Sequence, residues 1–574
     1  MKIFTRAIIA LVLMANSHLL YAQTPSYPQW LNSAIFYQIY PQSFKDSNGD
    51  GIGDINGMIE KLPYVKSIGV NAIWINPCFA STFRDAGYDV TDFYKVAPRY
   101  GTNTDLKRFF EAAHKIGIRI CLDLVAGHTS IDHPWFIESA KLKKNGYTDR
   151  YIWTSSKTTK PEKFVTGHYP RSGNYQKNFF ETQPALNYGY AHPDPKSNWE
   201  QSVNAPGPVS TREELKRIIA FWMDMGADGF RVDMASSLIK NDPDFTETNK
   251  LWGNIRSWFS KRYKNGALIS EWSYPKKAIK AGFMMDFLMH FNAKGYPSLF
   301  FDDTAVVLKG KDPFFAKAGK GSPMEFINSY LDQKASFGNK GLIAVPTANH
   351  DFQRLRSGRR NSDEEIKVAL TFLLTWQSVP FIYYGDEIGM RFISTQLPDK
   401  EGSILPDDIN PGYKANRAGT RTPMQWSTAQ NAGFSTASTG KLYLPIDPDN
   451  NRPTVEAEDK AANSLLNFVR ELIKLRKMTP ALGNTGGLKI VYAKDHQYPL
   501  IYNRYLDGKE FMVCINPKGG PVKLSLPAGS DSVTPLITQA CKVTVQAQKI
   551  EVDMQGVSFG IYQLNHRTIK PKTQ

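Results

Sequence analysis

From residue 34 to about residue 390 the chain alternates two apolar patterns. Short runs rich in β-branched and aromatic residues, at 34–40, 71–76, 118–125, 227–232, 267–270, 282–287, 342–347 and 380–384, read as strands. Longer stretches with apolar residues three and four apart, such as 55–68, 105–116, 212–225 and 364–376, read as amphipathic helices. Eight strand-then-helix units of α/β type predict a closed parallel (β/α)8 TIM barrel. A doubly wound open sheet is the rival architecture that strand counting leaves standing.

The alternation fails between His128 and Ser210, where Pro, Gly, Asn and aromatic residues dominate. An irregular stretch of that length inside a compact domain is usually functional, and it predicts an excursion domain after the third strand. A second irregular stretch follows residue 390, then a helical pattern at 462–477. From about Gly487 short alternating runs at 499–505, 510–515 and 557–564 predict a small C-terminal antiparallel β-sandwich domain. The expected partition is a leader at 1–22, the barrel at 23–127 and 211–480, the excursion at 128–210 and the β domain at 481–574.

The N-terminus changes the picture. Lys2 and Arg6 precede an apolar run from Ala7 to Met14, and Leu20-Tyr21-Ala22 follows before Gln23. This is the layout of a secretory signal peptide, so the chain is expected to be exported, to a periplasm or the medium. The run is too short to span a bilayer, and no later transmembrane segment is expected. The formal charge of +16 raises nucleic acid as a partner, but the lysines and arginines are scattered and form no basic arm, so none is expected. Export permits disulfides, yet Cys78, Cys121, Cys514 and Cys541 show neither a pairing pattern nor zinc spacing.

In a parallel barrel, chemistry gathers at the C-terminal strand ends. Here those ends carry charge. The third runs into Asp123 and His128, the fourth into Arg231 and Asp233, the fifth into Glu271, and the seventh into Asn349-His350-Asp351. A single acid at such a place is often just a helix cap. Several acids and two histidines at one barrel mouth point to chemistry. Strand alternation puts Arg231 and Asp233 on one side, where the guanidinium is expected to hold the carboxylate ionised as a nucleophile. A second carboxyl that keeps its proton would complete the pair that cleaves glycosidic bonds.

These residues carry a resemblance. The segments 34–43 (AIFYQIYPQS), 87–92 (GYDVTD), 123–128, 229–233, Glu271, 349–351 and 384–390 (YGDEIGM) come in the order found in the α-amylase family, glycoside hydrolase family 13. The resemblance covers nearly the whole chain after the leader. It implies Asp233 as nucleophile, Glu271 as general acid/base and Asp351 as transition-state stabiliser. It also implies that Arg231, His128 and His350 bind the sugar at the cleavage point and that Tyr88 stacks on it. Segments 421–426 (RTPMQW), 133–136 (HPWF) and 183–187 (QPALN) are most similar to the oligo-1,6-glucosidase, α-glucosidase and trehalose synthase group. In that group an Asp and an Arg close the pocket over the non-reducing end. Asp85 matches the Asp, and Arg421, or failing that Arg417, matches the Arg.

Three positions depart from the family pattern: Gly127 stands where Asn is usual, Ala185 replaces Asp in QPALN, and Met234-Ala235-Ser236-Ser237 follows the nucleophile. Linkage is therefore left open. The loop from Asp46 to Asp54 alternates acidic and amide oxygens suited to a hard cation, but its twelfth position is Gly57, so it is no EF-hand. The resemblance implies a structural Ca2+ held by Asp46, Asn48, Asp50, the Ile52 carbonyl and Asp54. The expected function is a retaining, exo-acting α-glucosidase on short α-gluco-oligosaccharides or α-glucans. A trehalose synthase-like glucosyl transferase, an endo-acting amylase and a non-catalytic sugar-binding barrel are the alternatives.

Overall fold

The computed structural model describes residues 26–289, 291–302, 312–393, 397–406 and 416–566. The expected leader at 1–22 lies outside them. Eight parallel strands close into a barrel: Phe36–Ile39, Ala72–Ile75, Arg119–Leu124, Gly229–Val232, Ala267–Ser270, Met285–Phe287, Leu342–Pro346 and Val379–Tyr383. The first pairs with both the second and the eighth, which excludes the open sheet. Nearly every strand residue is buried, because side chains fill the barrel and helices cover it. Inside, Phe36 stacks on Phe381 with ring centroids 4.3 Å apart. Where the fourth strand meets the fifth, only glycine fits: a Cβ on Gly229 would stand 2.3 Å from the Ala267 carbonyl oxygen.

Local chemistry sets the helices. Asp54 caps Ile55–Ile68 by accepting from the Gly57 amide, and Gly69 ends it in the left-handed region. Thr102 with Asp105, and Ser362 with Glu365, form capping boxes at the starts of Asn103–Lys115 and Asp363–Thr375. The helix expected from residue 212 in fact spans Pro206–Met225, since proline is well tolerated in a first helical turn. The excursion carries a short antiparallel pair, Phe164–Val165 with Tyr175–Gln176, and a cluster of rings in which Phe136 meets Tyr151, Trp153, Tyr169 and Tyr175. The C-terminal strands, from Gly487–Tyr492 to Lys549–Asn565, form one antiparallel sheet of six. Register shifts near Pro535 and Gln539 interrupt the pairing of its two longest strands, and bulges of this kind bend a strand. The four cysteines are buried free thiols. Among the described residues no helix is long and apolar enough to cross a membrane.

Candidate active site

Barrel register assembles the site. Asp123 and Arg231 are neighbours across the third and fourth strands, and their side chains meet at 2.9 Å. One residue past each strand end the ladder continues: the Asp233 amide donates to Leu124 and the Glu271 amide to Val232. Arg231 therefore lies among three carboxylates, with Asp233 at 3.1 Å and Glu271 at 2.6 Å as well. Burial pushes the Asp233 carboxyl well up, and the charge of Glu271 adds to it; Arg231 opposes both and is outweighed. The expectation that Arg231 holds Asp233 ionised is thus corrected: its pull is present, but burial and Glu271 outweigh it. Glu271 stands close enough to Asp233 for its charge and hydrogen bonding to favour the protonated form of Asp233.

On the other side of the cavity the balance is reversed. Asp351 meets Arg417 at 2.7 Å, Arg421 at 3.4 Å and His350 at 3.1 Å. Burial opposes ionisation there, but these partners hold the Asp351 carboxyl well below the usual range. Burial keeps His350 neutral. Its Nδ1 accepts from Gln38 at 3.2 Å, so Nε2 carries the proton and faces Asp351 and the Tyr88 hydroxyl. Tyr88 in turn donates to Asp123 at 3.0 Å.

Asp85 and Tyr88 sit in the turn between Phe79–Ser81 and Val90–Val96, after the second barrel strand. Asp85 pairs with Arg417 at 3.2 Å and accepts from Gln183 at 2.8 Å. Burial still lifts its carboxyl to about 6. The partner of Asp85 is thus Arg417 rather than Arg421. The short turn Arg417–Thr420 sends Arg421 back to the His350 carbonyl at 2.8 Å. A cavity of about 530 Å³ lies over these groups, lined by Asp85, Tyr88, His128, Asp233, Glu271, His350, Asp351 and Arg417. Phe179, Met234, Ser236, Phe291, Asn292 and Leu405 complete its walls. Arg231 and Arg421, expected to touch the sugar, lie behind the carboxylates instead.

The strand-end argument did not single out Phe179, Phe291, Asn292 or Leu405, because they come from irregular segments. Asp123 was visible only as part of a motif, although it anchors both Arg231 and Tyr88.

The loop from Asp46 to Asp54 contributes nothing to this cavity. Asp46 accepts from the amides of Asn48, Gly49 and Gly51 and from the Ser435 hydroxyl. Asp54 accepts from Ser47 and caps the following helix. Among the described residues no three His, Cys, Asp or Glu side chains gather as a metal site. The oxygen-only chemistry still fits Ca2+, since Asn48 and Asp50 each accept one amide and keep further lone pairs. Asp46 and Asp54 would have to share oxygens already in use.

Over residues 38–485 the chain matches the family model described as the α-amylase catalytic domain. The chain belongs to the α-amylase family. It is a glycosidase. It is 31% identical to an oligo-1,6-glucosidase of Parageobacillus thermoglucosidasius, over 85% of this chain and 90% of that protein. It is 30% identical to a trehalose synthase/amylase of Mycolicibacterium smegmatis, over 79% and 77%. Among solved structures, the trehalulose synthase of Pseudomonas mesoacidophila MX-45 superposes with a TM-score of 0.77 at 26% identity, covering 93% of this chain and 99% of that one. These relatives place the α-amylase-family chain beside the oligo-1,6-glucosidases and trehalose synthases.

Proposed function

We propose that this glycosidase is a retaining, exo-acting α-glucosidase of short α-gluco-oligosaccharides. The observation that carries the reading is the ion-pair wall Asp85–Arg417–Asp351 across one side of the cavity. Arg417 is tied down further by its bond to the Gly402 carbonyl at 2.6 Å. A terminal glucose fits against such a wall, and a polymer cannot run through it. Asp233 is the nucleophile once its proton has moved to Glu271, which then protonates the leaving oxygen. Asp351, kept ionised, stabilises positive charge developing on the sugar, with Tyr88 as the ring platform and His128 and His350 as hydroxyl partners. In the second step water, activated by Glu271, releases glucose.

The close cavity residues also suit a second reading, in which a sugar hydroxyl replaces water and the product is an isomer. The trehalulose synthase superposition supports it. Product analysis with maltose, isomaltose, trehalose, sucrose and starch separates the two. Glucose release from the short substrates with α-configuration retained, and little action on starch, is the expected result. Rapid loss of starch viscosity with long products would overturn exo action, and net isomerisation would favour transfer. We further propose that the loop at Asp46–Asp54 binds a structural Ca2+ and that the chain is exported. A mature N-terminus at Gln23 in secreted or periplasmic protein tests the latter.

A further inference from the structure

His128 lines the cavity beside Asp233, and its hydrogen bonds can be assigned a direction at every link. Its Nε2 lies 3.0 Å from the Tyr88 carbonyl oxygen, which can only accept, so Nε2 carries a proton. Burial lowers this imidazole to about 4, so it is neutral and Nδ1 is a bare acceptor. The Asn178 amide donates to Nδ1 at 3.1 Å. Asn178 Oδ1 then accepts from Lys240 Nζ at 3.3 Å, and the lysine, lowered by burial to about 7 yet keeping N–H donors in either form, also donates to the Ser237 carbonyl at 2.5 Å. A fixed donor at one end and a fixed acceptor at the other leave no freedom to flip the amide or the ring.

Gly127 makes room for this chain. A Cβ there would stand 2.8 Å from Asn178 Nδ2 and 3.1 Å from Ser237 Oγ. Asn178 comes from the excursion, fifty residues away in sequence, and the next residue, Phe179, lines the cavity. The same device occurs at the other cavity histidine, where the Gln38 amide donates to His350 Nδ1. In both imidazoles Nδ1 is thereby the acceptor and Nε2 carries the proton, which His350 directs to Asp351 and Tyr88 and His128 donates to the Tyr88 carbonyl, leaving the His128 ring edge against the cavity.

We propose that Asn178, held by Lys240, is a positioning residue that fixes the tautomer and tilt of His128 and so ties the excursion segment to recognition of the terminal sugar. The kinetic part rests on the glucosidase reading; the tautomer part does not.

The test uses Asn178→Asp, which keeps the shape and removes the donor, and Lys240→Met, in full-length protein carrying 15N-labelled histidine. In the wild type the His128 ring nitrogens should report a neutral Nε2–H form. In N178D they should shift to a protonated Nδ1, while the melting temperature stays within about 3 °C. With the best substrate of the panel, kcat/KM should fall roughly 100-fold in N178D and roughly 10-fold in K240M, and the double variant should lose no more than N178D alone. Should N178D fold poorly, Asn178→Ala, which removes the donor without offering an acceptor, should still move the His128 Nδ1 signal from its wild-type position and lower kcat/KM. Unchanged His128 signals in N178D would overturn the proposal, as would losses that simply multiply. A wild type inactive on every panel sugar, with the tautomer shift intact, would instead count against the glucosidase reading alone.

Discussion

The two sides of the cavity solve opposite electrostatic problems with the same residue types. On one side Asp123, Asp233 and Glu271 share a single guanidinium, that of Arg231. On the other, Asp85 and Asp351 share two, those of Arg417 and Arg421. Each side holds a buried carboxylate, Asp233 on one and Asp85 on the other, beside a partly exposed one, Glu271 and Asp351, so desolvation alone does not separate them. The ratio of cations to carboxylates does. The cation-poor side keeps Asp233 inclined to hold a proton, as a pair that must pass one to and fro requires. The cation-rich side keeps Asp351 ionised. Mobile protons belong where charge is undercompensated, and fixed charge belongs where it is balanced.

The largest break in this contrast should come from the acid pair. Asp233→Asn removes one of the two exchangeable carboxyls, and kcat should fall about 10⁴-fold or more, or roughly 5 kcal/mol of barrier. Turnover within tenfold of wild type on the best panel substrate would show that the chemistry lies elsewhere.

Arg231 is the next test. Arg231→Met leaves three buried carboxylates without their shared cation. Removing one partner from a buried charge cluster typically costs about 3–5 kcal/mol. A denaturant melt at pH 7 should show a loss of that size, partly recovered at lower pH where the acids take up protons. A melt that matches wild type would mean that the carboxylates do not depend on Arg231.

The contrast should also appear in the pH dependence of stability. Asp351 is held below the ordinary aspartate value, so its contribution is present above about pH 4 and is lost as pH falls through its lowered folded value. Asp85 is the reverse: its folded carboxyl titrates at about 6, so the native state binds the proton more tightly than the unfolded chain. Stability from this group therefore falls as pH rises from about 4 to about 6, by up to about 3 kcal/mol. Asp351→Asn should flatten the acid limb and Asp85→Asn should soften the decline above it. The softening is partial, since Asp123 is also raised to about 6 and Asp286 and Glu387 to about 7. Unchanged curves in both variants would remove the contrast.

How much of this was legible in the sequence depends on how far each contact reaches. The eight strands could be read because barrel strands are buried on both faces and stand out as apolar runs. Asp233 and Glu271 could be read because strand ends mark them. The choice between Arg417 and Arg421 could not, since both lie within one short segment and a single turn decides which faces Asp85. Asn178 was invisible for a similar reason: nothing in its neighbourhood announces a partner fifty residues earlier, beside a glycine. The proton balance of Asp233 was misjudged because strand alternation shows that Arg231 is near, not that two other acids claim it. The C-terminal sandwich was expected from alternation alone, which specifies faces and leaves open whether one sheet or two supplies them.

A third group of carboxylates extends the comparison, and it should give the smallest effect. Asp46, Asp50 and Asp54 take their hydrogen bonds from backbone amides and from the hydroxyls of Ser47 and Ser435. A divalent cation would supply the charge that the arginines supply at the cavity. Because the loop is already hydrogen-bonded and lies away from the cavity, such an ion would stabilise the fold without entering the chemistry. Binding to the native state alone adds about 2–3 kcal/mol at a free concentration one hundred times Kd. In a chain of this size that is a shift of only about 3 °C. Treatment with EDTA should lower the melting temperature by about that amount, and added Ca2+ should restore it, with kcat unchanged at 25 °C. Asp50→Ala, which removes an exposed ligand while leaving the Asp46 and Asp54 bonds intact, should abolish the response to Ca2+. A melting curve indifferent to EDTA, together with no calcium by elemental analysis, would mean that the amides alone satisfy this loop.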